Sequence, residues 1–252
     1  MNRLIPSSLR RRRAASDAPP APDLSQIADE NHAIVERAFP YTMTGVLRLD
    51  ATVQAVRYCV ARGVPGAFVE CGVWRGGSVL AMLLTLQELG TCDRDVYLFD
   101  TFEGMTEPTE HDTTDGEAAL DTWTESQARG ERPWAEVFGE DVFDEDSVRA
   151  TVSQSGYPAE RIHLLKGPVE QTLPGAAPDD IALLRLDTDW YESTRHELLH
   201  LYPRLADAGV LIIDDYGHWQ GARQAVDEYF AASAEPVFLH RVDYTARLVV
   251  KT

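Results

Sequence analysis

The chain has 252 residues, enough for one α/β domain with a large core, and its 41 acidic against 23 basic side chains give a formal net charge of −18. That balance argues against nucleic acid and anionic membranes as partners, because both call for a basic face. No run approaches the roughly 20 apolar residues that span a bilayer, and Cys59, Cys71 and Cys92 form no CxxC spacing, so a reduced cytoplasmic protein without disulfides or zinc is expected.

Residues 1–24 contain Arg10-Arg11-Arg12-Arg13 followed by Pro19, Pro20 and Pro22. No apolar h-region follows the arginines, so this stretch reads as a disordered basic tail. Residues 25–252 read as a single domain that opens with helices over 25–66. A mildly amphipathic segment at 24–36 predicts the first helix, Tyr41-Thr42-Met43-Thr44-Gly45 a loop, and Asp50 the start of a helix over 51–62 that Gly63-Val64-Pro65-Gly66 stops.

Ala67-Phe68-Val69-Glu70-Cys71 is a short apolar run of the kind that forms interior strands of parallel sheets. Gly72-Val73-Trp74-Arg75-Gly76-Gly77-Ser78 then makes a glycine-rich turn into a helix reaching about Leu89. The spacing is not the dinucleotide GxGxxG. Its acid, Glu70, precedes the first glycine, which suits a ligand with a cationic amino-acid end, while the helix N-terminus offers N–H groups to a carboxylate. A second strand, 96–99, ends on Asp100, where an acid accepts ribose hydroxyls in doubly wound sheets. Acid, glycine turn and ribose acid without a pyrophosphate fingerprint favour S-adenosylmethionine over NAD.

Residues 101–146 form a long acidic insertion, too long for a simple connection. Trp123, Trp134, Val137, Phe138 and Phe143 give it something to pack with, so a lid over bound ligand is expected. A helix at 147–155 and a third strand at 161–165 follow, ending at Lys166-Gly167. After a helical turn at 169–173, the fourth strand runs from Ile181 to Leu186 and delivers Asp187-Thr188-Asp189. A helix over 191–205 leads to Gly209 and a fifth strand, 210–213, which delivers Asp214-Asp215. A helix at 219–232 and strands at 237–240 and 246–250 complete a seven-stranded, Rossmann-like α/β sheet of the methyltransferase type, with a C-terminal antiparallel hairpin.

Ligands of open α/β sheets bind beyond the carboxyl ends of the strands. Acids crowded at two such ends repel one another unless a cation lies between them, and Mg²⁺ is the natural hard ion. Arg185, inside the fourth strand, needs an ionic partner that the sequence does not reveal. Trp190, Tyr191, Tyr216 and Trp219 flank the acids, available to a sugar ring or to the core, and Arg223 is either an acceptor contact or solvated.

The motifs Phe68-Val69-Glu70-Cys71-Gly72-Val73-Trp74-Arg75-Gly76-Gly77, Phe99-Asp100-Thr101-Phe102-Glu103-Gly104, Leu184-Arg185-Leu186-Asp187-Thr188-Asp189-Trp190-Tyr191 and Ile212-Ile213-Asp214-Asp215-Tyr216 resemble the macrocin O-methyltransferase family from about Tyr41 onward. The resemblance implies a class I fold, S-adenosylmethionine as donor, Mg²⁺ dependence and natural-product deoxysugars as acceptors. It implies Asp187, Asp214 and Asp215 as metal ligands and Asp187 as general base. Asp189 and His218 are the local alternatives for that base. For the donor it implies Thr42, Met43, Glu70, Gly72, Trp74, Arg75, Gly76, Gly77, Ser78, Asp100, Thr101, Lys166, Gly167 and Asp187, although Lys166-Gly167-Pro168 departs from the Gly-Trp of some members. A small-molecule glycoside is the expected partner, within a homo-oligomer. A catechol-like acceptor, or donor binding without catalysis, is the alternative.

Overall fold

The computed structural model describes residues 21–135, 144–233 and 236–252. Its strands are β1 (Ala67–Cys71), β2 (Val96–Asp100), β3 (Thr113–Thr114), β4 (Glu117–Ala118), β5 (Ile162–Lys166), β6 (Ile181–Leu186), β7 (Leu205–Ile213), β8 (His240–Arg241) and β9 (Arg247–Val250). Its helices are α1 (His32–Ala38), α2 (Val46–Ala61), α3 (Gly77–Glu88), α4 (Ala119–Arg129), α5 (Glu145–Ser153), α6 (Val169–Thr172), α7 (Tyr191–Leu201) and α8 (Gln220–Ala231).

Seven strands form the expected sheet, in the order β5-β2-β1-β6-β7-β9-β8. The five on the β5 side run parallel and the last two pair antiparallel. Every residue of β1 and β6 is buried, as central strands covered on both faces must be. Side chains alternate between the faces. Phe68, Leu183 and Ile212 join α2, α3 and α5 on one side, while Val69, Leu184 and Leu211 join α7 and α8 on the other. Helix α3 is buried nearly all round, because Val79, Met82 and Leu83 face the sheet while Leu80, Ala81 and Leu84 face α1.

Several boundaries differ from the sequence expectations. The arginine run lies outside the described residues, and by Asp23 the chain is already structured, capping a 3₁₀ turn at Leu24–Gln26. The helix expected at 24–36 divides into two 3₁₀ turns before α1. Helix α2 begins at Val46, a turn earlier than Asp50 suggests, and Asp50 is a buried acceptor of Asn31 Nδ2 at 2.7 Å. Pro203 ends α7 in a 3₁₀ turn, so β7 begins at Leu205 and carries the chain through Ala208, which is left-handed, and on past Gly209. The strand expected at 237–240 is reduced to His240–Arg241.

The acidic insertion holds the β3–β4 hairpin and α4, and is sewn to the domain. Buried Asp112 accepts the Tyr191 N–H at 2.8 Å, and Trp190 Nε1 donates to Thr106 O at 3.0 Å. Val137, Phe138 and Phe143 lie outside the described residues.

Gly72 closes the turn after β1 at φ +80°, where a Cβ would stand 2.0 Å from Asp187 O. A methyl group there meets both a left-handed backbone and the neighbouring strand end. Gly72→Ala is therefore expected to cost upward of about 2 kcal/mol in urea unfolding, and Gly104→Ala, at a left-handed position with open space, distinctly less. Equal losses in the two variants would contradict the close-approach account.

Candidate active site

Strand register builds the site. Glu70 on β1 faces Arg185 on β6, so both side chains leave the same face of the sheet, and Arg185 Nη1 donates to Glu70 Oε1 at 2.5 Å. Beyond them the strand ends stay in step: Asp187 N–H bonds Cys71 O at 2.8 Å and Asp214 N–H bonds Leu186 O at 2.9 Å. The buried Arg185 guanidinium also donates to Asp187 Oδ2 at 2.7 Å, Thr44 Oγ1 at 3.2 Å and Asp214 Oδ1. The structural partner that the sequence left unnamed is thus a set of three acids. Arg48, from the first turn of α2, reaches Asp214 Oδ2 from the other side, and its Nε lies 3.1 Å from Asp243 in the β8–β9 turn.

Asp187, Asp214 and Asp215 each bring a carboxylate oxygen within 4.8 Å of the others. The two guanidinium groups are outnumbered by the surrounding acids, and protonation equilibria register the deficit. Burial pushes Asp187 up to about 6 against the pull of Arg185. Burial and the Asp187 charge push Asp189 up to about 8, and burial with the Asp189, Asp187 and Asp214 charges raises Asp215 well above its ordinary value. Asp214 goes the other way: burial raises it, but Arg185 and Arg48 together hold it below its ordinary value. Such a shortage of positive charge among oxygen donors fits a hard divalent ion.

These groups open onto a cavity of about 390 Å³. Of the residues expected to hold the donor, Thr42, Met43, Glu70, Gly72, Trp74, Ser78, Asp100, Thr101, Gly167 and Asp187 line it, with Asp214 and Asp215. Glu70 Oε2 is buried there without a hydrogen-bond partner, an acceptor suited to an ammonium group. Burial pushes the Glu70 carboxyl up to about 8 despite Arg185, so a further cation would favour its ionised form.

Arg75, Gly76, Gly77 and Lys166 are not among the lining residues. The Arg75 guanidinium lies 4.8 Å from the Trp74 ring centroid. A Cβ on Gly76 would press on Val152 and Val148 of α5, and one on Gly77 would strike Tyr41 O at 2.6 Å, so these glycines serve packing of the turn. Lys166 turns outward to Glu103 at 2.7 Å. Asp100 has a backbone task too: Oδ2 accepts the Val73 and Trp74 N–H groups and Oδ1 that of Phe102, which fixes the glycine turn.

Trp219 lines the cavity and donates Nε1 to Asp189 Oδ1 at 2.9 Å. Asp189 itself has a left-handed φ of +69°. His218 also lines the cavity, and burial lowers its imidazole's pKa, leaving it neutral near pH 7. Trp190 is core, Tyr191 bonds Glu228 at 2.7 Å, and Tyr216 lies under Arg223 and Arg247. Arg223 accordingly stacks on Tyr216 and does not line the cavity. Sequence reasoning missed Thr44, Arg48 and Asp243. It also missed Glu197, whose buried Oε1 accepts Thr188 Oγ1 at 2.9 Å beneath the 187–189 loop. Nothing in their spacing relates them to the acids.

A sheet of this order, with a glycine turn after its first strand and acids at its central ends, defines the class I methyltransferase architecture. The macrocin-O-methyltransferase (TylF) family model matches residues 28–250, and the chain belongs to this family. It is 37% identical over 205 residues, 80% of this chain and 73% of the relative, to the 8-demethyl-8-(2,3-dimethoxy-alpha-L-rhamnosyl)-tetracenomycin-C 4'-O-methyltransferase of Streptomyces olivaceus. It is 36% identical over 193 residues, 76% of this chain and 68% of the relative, to the demethyldecarbamoylnovobiocin O-methyltransferase of Streptomyces niveus. Among solved structures, the O-methyltransferase NovP superposes with a TM-score of 0.71 at 33% identity, covering 84% of this chain and 82% of that one. The calicheamicin methyltransferase CalS11, at 17% identity and a TM-score of 0.58 over 93% of this chain and 99% of that one, shares the fold. The protein is an S-adenosylmethionine-dependent O-methyltransferase, which sets aside donor binding without catalysis. No helix among the described residues is long and apolar enough to cross a membrane.

The crowded acids make stability pH-dependent. Acids whose folded pKa values are raised stabilise the fold below their unfolded values, and that contribution is lost as pH rises through the folded ones, here about 6 for Asp187 and about 8 for Glu70 and Asp189. Without divalent ions the melting temperature is expected to fall from pH 6 to pH 9, and added Mg²⁺ to raise it more at pH 9 than at pH 6. A Mg²⁺ effect that is flat across this range would contradict the charge-deficit account.

Proposed function

We propose that this enzyme methylates a sugar hydroxyl on a natural-product glycoside, with Mg²⁺ held by Asp187, Asp214 and Asp215. The observation that carries the reading is the meeting of those three carboxylates within 4.8 Å on the wall of one cavity with the unpartnered Glu70 Oε2. The activities of the Streptomyces relatives on a rhamnosyl-tetracenomycin and on demethyldecarbamoylnovobiocin support the acceptor class.

When bound, the donor supplies an electrophilic methyl group and the ion a Lewis acid that makes a hydroxyl easier to deprotonate. The chain's own groups position and exchange the proton. Glu70 Oε2 would receive the donor's ammonium, and the glycine turn fixed by Asp100 would let backbone approach the donor. Arg185 and Arg48 hold Asp187 and Asp214 from behind. Asp187 has Oδ2 committed to Arg185, which weakens it as a base, so we assign the hydroxyl proton to Asp189 Oδ2, which becomes ionised above about 8 or at lower pH once a bound cation offsets the neighbouring acids. Trp219 orients that carboxylate through Oδ1.

The test is methyl transfer to a panel of rhamnosides and catechols, with Mg²⁺ or with EDTA. Rhamnoside methylation that EDTA abolishes is expected. Asp187→Ala should eliminate turnover while calorimetry still detects donor binding, and Asp189→Asn should lower kcat by about 100-fold or more with Mg²⁺ affinity retained. Activity indifferent to EDTA, or preference for catechols, would overturn the proposal.

A further inference from the structure

A second cavity of about 260 Å³ shares Gly104 and Met105 with the cavity at the acid cluster and is walled by Trp123, Arg132 and Pro133. Trp123 lies on the same face of α4 as buried Ala119 and Ser126, so the helix turns its indole inward. A row of indoles joins the two spaces. Trp219, which holds Asp189, lies 4.9 Å from Trp190, Trp190 lies 5.5 Å from Trp134, and Trp134 lies 6.4 Å from Trp123, measured between ring centroids. Trp219 and Trp134 face the first cavity, and Trp123 the second.

The first cavity already has to take the donor and the sugar ring, so whatever the sugar is attached to lies beyond it. The acids at the second cavity are neutralised, Glu103 by Lys166 and Glu131 by Arg129, each at 2.7 Å. Beside them stand an indole, a thioether, a proline ring and the Gln127 amide, a lining that accepts the flat face of a weakly polar ring system. Resting on the sugar-methylating reading above, we propose that this second cavity is the aglycone subsite and that the acceptors are glycosides of planar, conjugated aglycones. Trp123 is its specificity-determining side chain.

The test is calorimetry on the full chain with Mg²⁺ and S-adenosylhomocysteine, titrated with 4-methylumbelliferyl α-L-rhamnoside and with methyl α-L-rhamnoside. The aryl glycoside is expected to bind about tenfold more tightly. That preference should vanish in Trp123→Ala and in Trp123→Leu, which keeps apolar bulk against Trp134, with methyl rhamnoside affinity unchanged in both. Equal binding of the two glycosides by the parent, or a preference that survives both substitutions, would overturn the proposal. So would a preference lost in Tyr244→Ala, at the exposed opposite rim, and kept in the Trp123 variants. Turnover of the same two compounds is read separately: no methyl transfer beside an intact Trp123-dependent preference removes the sugar-methylating reading and leaves the subsite standing.

Discussion

A guanidinium without access to water organises this molecule. Arg185 sits inside the central strand β6, where an unpaired charge costs several kcal/mol, and its position is tolerable only because Glu70, Asp187 and Asp214 surround it. The dependence runs both ways. Glu70 and Asp214 are themselves too buried to stay ionised without a cation, so Arg185 lets carboxylates be gathered at the end of a hydrophobic sheet. It leaves the group short of positive charge, a shortage that the proposed divalent ion and the ammonium end of the donor would answer.

Segments far apart in sequence converge on this pair of strand ends. Thr44 and Arg48 arrive from the loop and helix before the sheet, and Asp243 from the hairpin at its far end. Arg48 therefore ties the beginning of the domain to its end across the acid cluster. From the other side the insertion after β2 is fastened by Asp112 and Thr106 to the start of α7, immediately after the acidic loop. Rigid elements thus position the clustered acids, while the cavity roof is built from loops.

Much of this was legible because period and burial leave marks in a sequence. Continuous apolar runs ending in acids announced parallel strands and their carboxyl ends, and Gly72 announced the turn that follows the first of them. The elements that went astray were those fixed by tertiary contacts. Helix α2 starts at Val46 because it packs on α3, whereas Asp50, which looks like a cap, answers Asn31. Gly76 and Gly77 also have a packing role that their motif does not announce, since their missing side chains make room for α5 and for Tyr41. Arg48 carries no signature at all, since its meaning depends on the sheet bringing Asp214 to it.

The central claim is that Arg185 is the shared counter-ion of the cluster, and a double-mutant cycle in urea unfolding tests it most directly. Arg185→Met is expected to cost about 3–5 kcal/mol, since it strands buried carboxylates. Glu70→Gln introduced into that variant should recover part of the loss, although the same change destabilises the parent chain. Additive losses from the two substitutions would contradict the account.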